Sequence, residues 1–92
     1  MILLISYDLL VHERPSSYDD VRAAIEEQAG DGNFIKALYS QFLVDTTETA
    51  DLWDQLLDTV TDDNDCWLIS EVTENRAGTL PSEAVAWLTA HT

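Results

Sequence analysis

The chain opens on neighbouring apolar positions that do not alternate with polar ones. Ile2-Leu3-Leu4-Ile5 runs into Ser6-Tyr7-Asp8, and its length and β-branched content predict a strand from Ile2 to about Asp8. A strand that is apolar on both sides needs cover on both sides. The polar stretch His12-Glu13-Arg14-Pro15-Ser16-Ser17 then breaks the pattern. Beyond it Tyr18, Val21, Ile25 and Ala29 recur at helical spacing and form an inner stripe. Ser16 or Ser17 caps this helix, and Asp19 and Asp20 in its first turn suit the positive end of the helix dipole. Gly30 stops it, and Asp31-Gly32-Asn33 is a turn cluster.

Two strands follow, Phe34 to Tyr39 and Gln41 to Asp45, joined tightly around Ser40 although no Gly or Asn stands at the tip. A second helix is predicted from Thr46 or Thr47. Ala50, Trp53, Leu56, Leu57 and Val60 fall on its inner side, and Glu48, Asp51, Asp54 and Asp58 on its outer side. Thr61-Asp62-Asp63-Asn64 ends it. Cys66 to Val72 reads as a further strand, Thr73 to Thr79 as a loop, and Ser82 to Ala90 as a terminal helix starting beside Pro81.

The order β-α-β-β-α-β plus one helix predicts a ferredoxin-like α/β sandwich, of the α+β kind. Residues 1–92 form one domain, with an antiparallel sheet and two helices on one face. The other face of the first strand is also apolar, so a second copy of the chain or the terminal helix must cover it. Of these, dimerisation through the helix-free side is the expectation carried forward.

Charge narrows the function classes. Eighteen acids against four bases give a formal charge of −14 in 92 residues. Such a balance disfavours direct electrostatic docking on nucleic acid or on an anionic membrane. The single cysteine excludes an internal disulfide and a cysteine-based metal cage. The start lacks a basic leader and is far shorter than the roughly 20 residues of a membrane span, which reads as a cytoplasmic chain.

From Asp45 to Asp65 there are eight acids and no base, and Asp51, Asp54 and Asp58 share a helical face. Two readings stand side by side. One is a solvated face in a chain adapted to high salt; the other is a phosphate-like row that occupies a basic partner. Asp62-Asp63-Asn64-Asp65 lacks the glycine and distal Glu of a helix–loop–helix calcium site. Cys66, beside Trp67 in an apolar strand, reads as a buried small hydrophobe, and Trp53, Trp67 and Trp87 as packing residues. His12 follows the first strand as a loop histidine, within reach of Asp8 as a general base.

A short strand ending in Tyr7-Asp8, together with Ser40-Gln41-Phe42 at the start of the third strand, resembles the CRISPR-associated protein 2 family. It also resembles the related virulence-associated protein D group. The segment Leu3-Leu4-Ile5-Ser6-Tyr7-Asp8-Leu9 and the late Trp87-Leu88 are similar to small relatives of the same fold. The resemblance spans residues 1 to 72 in topology. It implies a homodimer in which Asp8 of each subunit is both metal ligand and catalytic carboxylate. The implied cofactor is Mg2+ or Mn2+, and the implied activity is that of a metal-dependent endonuclease or endoribonuclease. A hard cation suits carboxylate oxygen and activates water, and symmetry supplies the second carboxylate. Against the nuclease stands the small number of bases, Arg14, Arg22, Lys36 and Arg76. The alternative is a non-catalytic acidic module that binds or neutralises a basic, nucleic-acid-binding protein.

Overall fold

The computed structural model describes residues 1–9 and 17–92. Its elements run β1 (Ile2–Asp8), α1 (Ser17–Ala29), β2 (Phe34–Leu38), β3 (Gln41–Asp45), α2 (Ala50–Asp58), β4 (Cys66–Val72) and α3 (Ser82–His91). The four strands form one sheet in the order β2-β3-β1-β4. Every neighbouring pair is antiparallel. This is the strand order of a ferredoxin-like sandwich, with β1 in the interior and β2 and β4 at the edges.

Alternation along β1 sorts its side chains between two cores. Leu3, Ile5, Tyr7 and Leu9 join Val21 and Ile25 of α1, Phe42 and Val44 of β3, and Trp53 and Leu57 of α2. Ile2 joins Ala37, Leu43 and Ala84 in a second cluster, edged by Leu4, Ile35, Val72, Leu80, Trp87 and Leu88. Fully burying a Val, Leu, Ile or Phe contributes about 1.5–3 kcal/mol, so the first cluster carries most of the stability.

The sheet therefore has no helix-free side, contrary to the sequence expectation. The apolar residues Ile2, Ala37 and Leu43 are covered within the chain by Ala84, Trp87 and Leu88 of α3. Cover is partial, however. The face shared by Ile2, Leu4, Ser6 and Asp8 has α3 over its Ile2 end, while Leu68 is 68% exposed at the other. Ser6, Gln41 and Leu68 lie side by side in register on that open half, and Gln41 Nε2 donates to Ser6 Oγ at 3.3 Å.

Local chemistry explains the boundaries. Gly30 and Gly32 adopt φ of 84° and 83°, left-handed values that let α1 end and the chain turn into β2. Asn33 Nδ2 donates to the orphan carbonyl of Ala29. The β2–β3 connection needs no left-handed residue, because a register shift between Lys36 and Leu38 absorbs the twist. α2 begins at Ala50, later than the apolar spacing predicts. Thr46 Oγ1 accepts from Glu48 N–H in a local turn, and Thr49 takes the N-cap position.

Cys66 is exposed, which corrects its reading as a buried hydrophobe. It is the first residue of an edge strand, and by alternation it lies on the half-face that α3 does not reach. Among the described residues no helix is long and apolar enough to cross a membrane.

Candidate functional site at the end of the first strand

Asp8 is the last residue of β1, exposed, and paired in register with Cys66 of β4. Alternation places it on the same face as Ser6 and Leu68, at the open end. The two segments that carry the family resemblance come together here. Tyr7 donates its backbone N–H to the Ser40 carbonyl oxygen at 3.1 Å, so Ser40 stands beside the Tyr7-Asp8 step.

An aromatic wall supports this strand end from the opposite face. The Tyr7 ring is 5.7 Å from that of Tyr18, and Tyr18 is 5.6 Å from Tyr39. The Tyr18 hydroxyl oxygen accepts from Leu9 N–H at 3.4 Å, which holds the backbone just after Asp8. Burial, with a further contribution from neighbouring Tyr18, pushes the Tyr7 phenol up to about 12. Tyr7 is thus a neutral ring, packed in the core, at ordinary pH. Lys36 places its ammonium 5.1 Å from the centre of the exposed Tyr39 ring.

Some acidic residues fasten the backbone, and others stand exposed on a helix. Asp62 N–H donates to Asp65 Oδ2, and Asn64 N–H donates to Asp62 Oδ1, so these carboxylates fasten the turn before β4. Asp62 therefore does not continue the α2 row, which ends at Asp58. Asp51, Asp54 and Asp58 are all exposed on α2. Asp54 Oδ1 also accepts from Trp67 Nε1 at 2.8 Å.

Among the described residues no three His, Cys, Asp or Glu side chains converge on a point. At this strand end Asp8 offers a hard oxygen ligand. Magnesium commonly uses one or two carboxylates and keeps several waters, so Asp8 from two copies matches the donor chemistry of such an ion. His12 and Arg14 lie outside the described residues.

Sequence reasoning missed the pairing of His91 with Asp45, Nδ1 to Oδ2 at 2.7 Å. It also missed the bond from Trp87 Nε1 to the Gly32 carbonyl at 3.0 Å. A histidine in the last turn of a helix is a weak signal, since its partner is 46 residues away. Compared with known proteins, the chain matches no family model and no curated relative in sequence.

Proposed function

We propose that the protein is a self-pairing cytoplasmic member of the CRISPR-associated protein 2 kind. In this reading the open half of its sheet face meets the same half of a second copy, and the two Asp8 carboxylates share one Mg2+ or Mn2+ ion. The observation that carries it is the exposed position of Asp8 on the half of that face that α3 does not reach, on the same side as exposed Leu68. An isologous contact there places the same residue of each copy near the symmetry axis. Such an ion supplies water activation and neutralisation of charge on a phosphodiester. The chain's own contribution is to hold Asp8 at the end of a rigid interior strand, braced by the Tyr7–Ser40 and Leu9–Tyr18 bonds.

The test is sedimentation together with cleavage of single-stranded RNA and duplex DNA in Mg2+ or Mn2+. A dimer at micromolar concentration is expected, broken by Leu68→Glu, with cleavage abolished by Asp8→Ala. A monomeric wild type, or undiminished cleavage by the Asp8 variant, overturns the reading.

A second reading rests on a different observation, the exposed Asp51, Asp54 and Asp58 along α2. This row of negative charge at helical spacing suits a basic partner and makes the protein a neutralising module without catalysis. Salt-sensitive binding to polylysine, lost when all three are changed to Asn, supports it. Full binding by that triple variant removes the helix from consideration.

A further inference from the structure

We infer that α3 is a detachable clasp, which lifts from the sheet as a unit while the ferredoxin-like body stays folded. Three independent features lead there. First, the larger core contains no residue of α3. It is completed by β1, α1, β3 and α2, with β2 and β4 at its margin. The body therefore keeps its principal apolar burial when α3 leaves, and the βαββαβ order is complete without it.

Second, α3 is seated lightly. Ala84 is its only buried residue; Trp87 and Leu88 are half-buried, and Val85 is 49% exposed. An open groove of about 560 Å³ lies between Val85 and Leu88 of α3, the tether residues Ala77 and Leu80, and Leu4 and Leu43 of the sheet. Side chains facing such a gap forgo dispersion contacts that a filled interface supplies. The tether from Thr73 to Leu80 is exposed almost throughout and has no regular structure.

Third, the polar attachments are few and concentrated at one end of the helix. Trp87 Nε1 donates to the Gly32 carbonyl, and the His91 ring stacks on Trp87 with centres 4.1 Å apart. His91 Nδ1 reaches Asp45 Oδ2. A carboxylate only accepts, so Nδ1 carries the proton and the bond is directed from α3 to β3. Trp87 and His91 thus form one fastening, reaching the α1–β2 turn and the end of β3. Segments with little apolar burial and exposed tethers open below the global unfolding free energy. Opening bares Ile2, Ala37 and Leu43, continuous with the half-face that carries Asp8.

This inference does not depend on the pairing proposed above, because it concerns motion within one chain. Native-state hydrogen exchange on the full chain in low denaturant tests it. The amides of residues 86–91 are expected to exchange at least about 100-fold faster than those of Ile5 and Val44, with a smaller denaturant dependence. His91→Ala lowers α3 protection about tenfold further, the size of one charge-assisted hydrogen bond, and leaves β1 and α2 unchanged. Helix fraying is separated from lifting by thiol labelling of Ala37→Cys in a Cys66→Ser background. Labelling at the α3 exchange rate supports the clasp. Labelling at the global unfolding rate, or equal protection of α3 and β1, overturns it.

Discussion

Trp67 donates its indole N–H to Asp54 Oδ1 across 2.8 Å, so one carboxylate of the α2 row is engaged in holding β4 against the helix. The three acids of that face are therefore not equivalent. Asp54→Ala is expected to lower stability by about 1 kcal/mol, the scale of one hydrogen bond at a partly wet site. Asp51→Ala and Asp58→Ala stay within about 0.5 kcal/mol of wild type, since both side chains are exposed and their loss relieves repulsion. Urea unfolding of the three single variants checks the ranking.

Tyr7 gives an alkaline signature. Its phenol is raised from 10.0 to about 12 in the folded protein by burial and by Tyr18. A proton held more tightly by the folded state stabilises it fully below the unfolded pKa. That contribution is lost as pH climbs from about 10 through about 12. Two pH units correspond to about 2.7 kcal/mol as an upper scale. Tyr7→Phe is expected to flatten the fall in stability over this window, measured by denaturation at pH 9, 10 and 11. An unchanged slope contradicts burial as the cause.

Charge density gives a salt response. Fourteen excess negatives repel one another, and the Arg22–Glu26 contact at 2.6 Å is an exposed i,i+4 pair that offsets little of this. Raising NaCl from 0.05 to 1 M, read by thermal unfolding, is expected to raise Tm by several degrees as the screening length falls from over 10 Å to about 3 Å. No change in Tm across that range contradicts self-repulsion as a destabilising force.

Trp53 is fully buried, and its indole N–H has no hydrogen-bond partner among the described residues. An unmade bond of this kind costs about 1–3 kcal/mol. Trp53→Phe deletes the orphan donor while it removes packing volume, so the two effects oppose each other. The expected net loss is under about 2 kcal/mol, against the 3–5 typical of truncating a core aromatic to Ala. A loss above 3 kcal/mol in guanidinium unfolding contradicts an unsatisfied donor.

Much of this architecture was legible in the sequence, where local pattern and tertiary packing agree. Ile2-Leu3-Leu4-Ile5 announced a strand covered twice, and both cores indeed draw on it. Val21 and Ile25, then Trp53 and Leu57, announced the helix faces that meet the sheet. The open half-face was not legible. Leu68 and Cys66 look apolar in sequence, yet their side of β4 lies beyond the reach of α3. At the candidate site, the expectation for Asp8 rests on its Tyr-Asp context, and the fold places that residue at the exposed end of β1. Its bracing by Tyr18 depends on a ring packed across from another element and leaves no trace in local spacing. The partnership of His91 with Asp45 is invisible for the same reason.

The left-handed Gly32 has an influence far beyond its own turn. Its carbonyl is the anchor for Trp87, 55 residues later, so the direction of one peptide plane helps decide whether the C-terminal helix sits down. A side chain at this position meets no steric obstacle, since nothing lies within 4 Å of its added carbon. The penalty is instead conformational, and rotating that peptide away would unfasten a distant helix without touching it. A turn between the first helix and the second strand is in this way also a hinge stop for the far end of the chain.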